Sequence, residues 1–89
     1  MMKKTYILDG NQLLERQNAF TFLKQNLLLP DYSSDNLDSL YDCLTEFYQG
    51  DSFIIINADR MKDDSFSSKL LKVIIKASQQ GGYNLLVLD

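Results

Sequence analysis

Three short apolar runs, separated by segments with helical spacing, constrain the fold of this chain most strongly. The runs Thr5–Leu8, Phe53–Ile56 and Leu85–Leu88 have the length and residue types of β-strands, and the last two read as buried strands. Two predicted helices lie between the first and second runs, and one lies between the second and third. The order β-α-α-β-α-β predicts an α/β fold with a parallel sheet covered by helices and joined by right-handed crossovers.

The predicted helices have clear start and stop signals. They are Asn18–Leu28, a second helix starting near Asp35 or Asn36, and a third running from Asp63-Asp64-Ser65 to about Gln80. Pro30 ends the first helix, because the residue before a proline is disfavoured in the α region. Gly81-Gly82 ends the third. The segment Arg60–Ser65 is either a loop or a short turn.

Length and composition exclude several classes of protein. Eighty-nine residues fit one domain, 1–89, with one hydrophobic core. The chain has no histidine, and Cys43 is its only cysteine, so disulfide frameworks, Cys/His metal sites and His-dependent nucleophilic catalysis are excluded. No apolar run approaches the length of a membrane span or of the core of a signal peptide. We therefore expect a cytoplasmic, non-enzymatic protein without a metal or another cofactor.

Charge is distributed unevenly along the chain. The formal net charge is −3, yet residues 25–59 contain no lysine or arginine, and the basic residues lie at the two ends. The middle of the chain therefore carries a strongly negative field, which repels nucleic acid and attracts basic proteins.

The second predicted helix carries two stripes. Its apolar stripe contains Leu37, Leu40, Tyr41, Leu44, Phe47 and Tyr48. An acidic stripe lies nearly opposite, contains Asp35, Asp38, Asp42 and Glu46, and is extended by Asp31. Like charges four residues apart destabilise a helix by about 0.2–0.5 kcal/mol per pair, and no basic residue within this segment relieves them. The helix dipole offsets this cost only near the N-terminus.

The acidic stripe has a simple interpretation as a solvated face. Three observations favour a binding surface instead: the stripe has a single sign, it uses aspartate despite its poor helix propensity, and Tyr32 and Tyr41 border it. Each neighbouring residue also has a structural interpretation. Tyr32 can pin the linker to the core, Tyr41 and Phe47 can be partly core, and Asn36 can be only a helix cap.

Asp38-Ser39-Leu40 suggests another function, because acyl carrier proteins bear phosphopantetheine on the serine of such a tripeptide. Ser39 lies inside the predicted helix rather than at its start, however, and strands follow it. An acyl-carrier-like protein therefore remains a weak alternative. The acids also diverge along a regular helix, which fits neither a calcium loop nor a pair of catalytic carboxylates.

The sequence LPDYSSDNLDSLYDCLTEF, from Leu29 to Phe47, resembles the barstar family of intracellular inhibitors of the ribonuclease barnase. The N-terminal strand with DGNQL and the terminal GGYNLLVLD also resemble this family, whereas residues 49–66 match less well and are a few residues shorter. The resemblance implies a three-stranded parallel sheet flanked by three or four helices. It also implies that the acidic helix, with the loop before it, blocks the active site of the nuclease.

The resemblance implies a role for each matching residue. Asp42 resembles the acid that occupies the substrate-phosphate position, and Asp38 would pair with further basic residues of the enzyme. Tyr32 would pack on the catalytic histidine. Asn36 and Leu37 would contact the guanine-recognition loop or its surroundings.

The remaining predicted contact residues include departures from the family pattern. Tyr41 and Phe47, each in place of a tryptophan, would border the interface, and Glu46 extends the acidic stripe. Ser34 stands in place of the usual glycine, and Lys76 replaces a glutamate that makes contacts. Lys76 is either part of a solvated basic stripe or a residue that changes which nuclease is bound.

The sequence therefore predicts an inhibitor of a basic extracellular or toxin ribonuclease, with an acidic helix that mimics RNA phosphates. The expected complex is 1:1, the free protein is expected to be a monomer, and it would bind neither nucleic acid nor membranes directly. The alternative from another functional class is an acidic adaptor that binds a basic protein without inhibiting catalysis.

Overall fold

A computed structural model describes residues 3–27, 29, 35–62 and 65–89, the side chain of Ser65 excepted. The main elements are β1 (Thr5–Asp9), α1 (Arg16–Leu27), α2 (Leu37–Phe47), β2 (Ser52–Ile56), α3 (Ser65–Gly81) and β3 (Asn84–Val87). This order confirms the predicted α/β pattern of strands and helices. Short 3-10 helices at Gly10–Gln12 and Ala58–Lys62 follow β1 and β2. The predicted linker around Tyr32 and the predicted caps Asp63 and Asp64 lie outside the described residues.

The three strands form one parallel sheet in the order β1-β2-β3. Ile7 pairs in register with Ile54, and Ile54 with Leu86. The connection from β1 to β2 and the connection from β2 to β3 therefore both advance by one strand, in the same direction across the sheet. Right-handed crossovers that advance in one direction place their helices on the same face of the sheet.

The hydrophobic core lies on that one face. The side chains of Leu8, Phe53 and Ile55 pack there with buried residues from all three α-helices. On the opposite face, Ile7 is 59% exposed and Leu86 is 53% exposed. The prediction that the last strand is buried was therefore wrong. The physical reason is the strand order, because β3 lies at the edge of the sheet and the described helices pack on one face of it.

One glycine, Gly81, lets α2 and α3 approach each other closely. A Cβ atom on Gly81 would lie 2.8 Å from the carbonyl oxygen of Leu44 and 2.9 Å from the Cα of Thr45. Gly81 is the last residue of α3, and no side chain other than glycine's fits there without moving the backbone of α2. Gly82 follows with a φ of 72°, the left-handed conformation that commonly terminates a helix. This close approach fixes the C-terminal half of α2 against α3.

Tyr48 fixes the C-terminal end of α2 to α1. Its buried hydroxyl donates a hydrogen bond of 2.8 Å to the carbonyl oxygen of Leu27, at the end of α1. Its ring makes edge-on contacts with Tyr6 and Phe53. Burial, reinforced by neighbouring Tyr6, raises the pKa of the Tyr48 phenol well above its usual value. The phenol is therefore a neutral structural group at physiological pH.

Candidate functional site

Asn36 begins the acidic helix. Its backbone is extended, and its side-chain oxygen accepts a hydrogen bond of 2.7 Å from the backbone N–H of Ser39. Its carbonyl oxygen accepts another from the backbone N–H of Leu40, at 3.1 Å. Asn36, rather than Asp35, is thus the N-cap, and Asp38 lies in the first turn, where the helix dipole favours a negative charge.

The buried side of α2 differs in two residues from the predicted apolar stripe. Leu40, Leu44 and Tyr48 are buried as predicted, while Leu37 and Tyr41 are half-buried at the margin of the core. Phe47 was assigned to the core side and is 46% exposed, so that assignment was wrong. Cys43, absent from the predicted stripe, is buried. Phe47 therefore presents an aromatic ring at the surface near the end of the helix.

Asp38, Asp42 and Glu46 are exposed along one side of α2. They are spaced at four-residue intervals, which separates successive positions by about 6 Å along the axis and the outer two by about 12 Å. Within the described ranges, no ion pair engages any of the three carboxylates. The side chains therefore point neither into the core nor toward a lysine of their own chain, and they remain available to an external cation.

Asp35, in contrast, already has a cationic partner within the chain. Its carboxylate forms an ion pair with the ammonium group of Lys24 on α1. The acidic segment itself contains no basic residue, and the lysine that pairs with Asp35 comes from outside that segment. The relieving lysine lies 11 positions earlier and reaches Asp35 only through the packing of α1.

Thr45 lies beside the acidic side chains and was not predicted as a site residue. It is half-buried, and its hydroxyl donates a hydrogen bond of 3.0 Å to the carbonyl oxygen of Asp42. Its spacing of three residues after Asp42 was the available signal, since residues three apart are neighbours on a helix surface. Its side chain is uncharged, so the pattern of acidic residues along α2 does not include it.

Three lysines share one side of α3, and the last of them approaches α2. Lys69, Lys72 and Lys76 are exposed, and the Nζ atom of Lys76 lies 5.9 Å from the centroid of the Tyr41 ring. This distance is within the range of a cation–π contact. Lys76 is thus exposed and lies within reach of the Tyr41 ring, on the side of α3 that approaches α2.

The described residues do not assemble a nucleophilic or metal-binding centre. Burial, with Glu46 and Asp42 nearby, raises the pKa of the Cys43 thiol, which keeps it in the unreactive protonated form. Within the described ranges, no cluster of three or more His, Cys, Asp or Glu side chains is suited to a metal ion. Ser39 lies in the first turn of α2, so its position does not argue against the acyl carrier alternative, but that alternative requires an all-helical bundle and this fold contains a parallel sheet.

Two predicted contact residues, Tyr32 and Ser34, lie outside the described residues. The other eight are Asn36, Leu37, Asp38, Tyr41, Asp42, Glu46, Phe47 and Lys76, of which Lys76 is on α3 and the rest are on α2 or its cap. No helix in the described part of the chain is both long enough and apolar enough to cross a membrane.

Comparison with known families shows which family this chain resembles. A family model described as barstar, the barnase inhibitor, matches residues 3–84. The matched range contains all three α-helices and the first two strands, and it reaches the first residue of β3.

Proposed function

The chain belongs to the barstar family of barnase inhibitors, and on this premise we propose that it inhibits a barnase-like ribonuclease by inserting α2 into the substrate cleft. The partner is a basic secreted nuclease or a related toxin, bound as one nuclease per inhibitor. The protein acts in the cytoplasm as an immunity protein or antitoxin, without catalysis of its own.

The observation that carries this proposal is the row of three exposed carboxylates on a rigid helix, none engaged by a cation within the described ranges. An enzyme that cleaves RNA needs a positively charged cleft, because its substrate carries a negative charge on every phosphate. Carboxylates held at intervals of about 6 Å along a helix present a comparable series of negative charges. α2 therefore has the charge and the shape to compete with RNA for such a cleft.

Each predicted contact residue has a role in the proposed complex. Asp42, in the middle of the row, takes the position of the substrate phosphate among the catalytic cations. Asp38 and Glu46 pair with basic residues on either side of that position. Aromatic surface from Tyr41 and Phe47 excludes water at the margins, as aromatic residues commonly do in protein interfaces.

The loop before α2 completes the proposed contact surface. Tyr32 packs on the catalytic histidine of the nuclease, and Ser34, in place of the family's glycine, changes the backbone geometry or the close approach of the loop. Asn36 and Leu37 contact the loop that recognises guanine. These roles follow from the family pattern of the residues, and they extend the surface beyond the acidic row.

The rigidity of α2 supports inhibition rather than loose electrostatic association. Its start is capped by Asn36, its end is fixed by Tyr48, and Gly81 allows it to pack closely against α3. A surface that is ordered in advance loses little conformational entropy on binding. Because a buried carboxylate without a partner is costly, the same surface also rejects nucleases whose cations do not match it.

The test is to titrate purified protein into an RNA-cleavage assay with barnase, and to compare Asp42→Asn with Asp59→Asn. Both substitutions remove one exposed carboxylate, but Asp59 lies in the 3-10 helix after β2. Measured costs of truncating one member of a buried interfacial charge pair, the barnase–barstar complex among them, are about 2–5 kcal/mol. We expect Asp42→Asn to weaken inhibition by at least about 30-fold and Asp59→Asn to leave it nearly unchanged.

Two outcomes would decide against the proposal. If the protein binds barnase but RNA cleavage continues, the acidic adaptor becomes the better description. If the protein inhibits and Asp42→Asn inhibits as well as the unmodified chain, then α2 is not the blocking element.

A further inference from the structure

Two basic side chains of α1 converge on Asp35, the residue immediately before the N-cap of α2. We propose that Arg16 and Lys24 are positioning residues that hold Asp35 and so fix the start of α2 in the orientation required for nuclease binding. This inference rests on the proposed function, because it takes α2 to be the binding element. It concerns residues of a helix that the proposed function leaves without a role.

Arg16 provides the first connection. Its Nη2 atom donates a hydrogen bond of 3.0 Å to the backbone carbonyl oxygen of Asp35. The guanidinium carbon lies 5.5 Å from the centroid of Phe20 on α1 and 5.6 Å from that of Phe66 on α3. A planar guanidinium stacks on aromatic rings while its N–H groups remain directed, so these rings restrict the side chain that holds Asp35.

Lys24 provides the second connection. Its ammonium group pairs with the Asp35 carboxylate, while Arg16 holds the backbone of the same residue. Asp35 is thus fixed through its side chain and through its main chain by two residues that lie eight positions apart on α1. A single exposed ion pair contributes little to the stability of a fold. Two contacts to one residue restrict its orientation, which is what a binding helix requires.

The position of Asp35 makes this restriction useful. Asn36, the next residue, organises the first turn through its contacts with the backbone N–H groups of Ser39 and Leu40. Asp38 lies in that same turn. If the segment before Asn36 moved freely, the first turn would have to be ordered when the nuclease binds, and affinity would fall.

Electrostatics alone predicts the opposite effect of removing Lys24. Without this cation the surface around α2 is more negative and attracts a basic nuclease more strongly, so dissociation would slow. Loss of positioning instead accelerates dissociation. The direction of the change in dissociation rate therefore separates a positioning role from a simple role in the charge of the surface.

The kinetic test compares Lys24→Gln with Lys62→Gln in stopped-flow binding to barnase. Lys62→Gln is the matched control, because it removes the same charge and breaks another exposed ion pair, with Asp89 at 3.1 Å. We expect Lys24→Gln to accelerate dissociation about three- to tenfold, the effect of ordering one or two side chains on binding, without slowing association. Lys62→Gln should change dissociation less than about twofold. Unchanged or slower dissociation for Lys24→Gln, or equal acceleration by Lys62→Gln, would overturn the proposal.

A second measurement on the free protein does not depend on any partner. Amide hydrogen exchange at Ser39 and Leu40 reports opening of the first turn, and exchange at Asn84, bonded to the Asp51 carbonyl at 2.8 Å, reports the sheet. Arg16→Gln and Lys24→Gln should accelerate exchange at Ser39 and Leu40 about three- to tenfold and leave Asn84 unchanged. Arg16→Lys, which keeps the charge but loses the planar fork, should restore exchange only in part.

The two measurements distinguish failure of this inference from failure of the proposed function. If the unmodified protein does not bind barnase, the proposed function fails, and hydrogen exchange still decides whether Arg16 and Lys24 order the start of α2. If the unmodified protein binds but neither variant alters exchange at Ser39 or Leu40, the positioning role is wrong and the proposed function remains.

Discussion

At the scale of single residues, the acidic side chains of α2 are unfavourable for the stability of the free protein and favourable for binding to a basic partner. Asp42 lies one helical turn from Asp38 and one turn from Glu46, so it is repelled from both directions. Nothing within the described ranges pairs with these three carboxylates. A side chain that is unfavourable in the free protein and valuable in a complex is the arrangement expected of a binding residue rather than of a structural one.

This arrangement gives a prediction for the stability of Asp42→Asn. Removing one charge relieves two repulsions of about 0.2–0.5 kcal/mol each, so the free energy of unfolding should stay constant or rise by up to about 1 kcal/mol. Urea unfolding at low salt measures it, with Asp59→Asn as the control. A loss of more than about 1 kcal/mol would mean that Asp42 has a structural role in the fold.

Lys76 gives a second prediction at this scale. Its ammonium group lies over Tyr41, at the edge of the acidic side, where a basic nuclease would meet a like charge. We expect Lys76→Glu to strengthen binding to barnase, mainly through slower dissociation. Lys69→Glu makes the same charge change two helical turns away and should have a smaller effect. Weaker binding by Lys76→Glu would show instead that Lys76 faces an acidic group of the enzyme.

At the scale of secondary-structure elements, the orientation of α2 depends on its packing against α1 and α3. Tyr48 connects the end of α2 to α1, and Gly81 brings the end of α3 against the backbone of α2. The proposed binding residues are thus on a helix that is fixed against both α1 and α3. Rigid elements hold a functional surface more accurately than loops do.

We predict that Gly81→Ala destabilises the fold, although alanine is the better helix former by about 1 kcal/mol. The added methyl group would meet backbone atoms of Leu44 and Thr45, which cannot rotate away, so α2 and α3 must separate. Overpacking of this kind typically costs about 1–3 kcal/mol in the free energy of unfolding. Thermal or urea unfolding tests it, with Gln80→Ala on the exposed side as the control. Equal stability of Gly81→Ala and the unmodified protein would contradict this account of the helix packing.

Local sequence patterns predicted the helices and strands well, but they did not predict the contacts between them. The spacing of Asp38, Asp42 and Glu46 alone indicated their shared face, because helical periodicity is a property of one segment. The pairing of Lys24 with Asp35 joins two segments, and no local pattern contains it. Phe47 was misassigned for a related reason, since its exposure depends on where the neighbouring elements end and not on its angle around α2 alone.

At the scale of the whole molecule, the sheet has one covered face and one open face. The open face carries an apolar row formed by Ile7, Ile54 and Leu86. Parallel sheets are usually covered on both faces, so this row is a possible surface for self-association. Its size argues against that role. Three strands about 4.8 Å apart and about five residues long give roughly 240 Å², well below the roughly 800 Å² per partner of a stable interface.

The free protein should therefore be a monomer, which sedimentation equilibrium over a range of concentrations would measure. Leu86→Lys provides the control, because it places a charge on the open face, in the edge strand β3, at an exposed position outside the core. The unmodified protein and this variant should have the same molecular mass. A dimer that Leu86→Lys dissociates would contradict the prediction and identify the open face as its interface.

Competition between this protein and RNA shows whether α2 occupies the place of RNA in the nuclease cleft. Barnase activity would be measured at several RNA concentrations and at fixed concentrations of this protein, with Asp42→Asn in parallel. The account predicts competitive inhibition, in which the apparent KM for RNA rises with inhibitor concentration while kcat at saturating RNA is unchanged. Inhibition that lowers kcat and cannot be overcome by RNA would contradict it, because the protein would then be acting outside the substrate cleft.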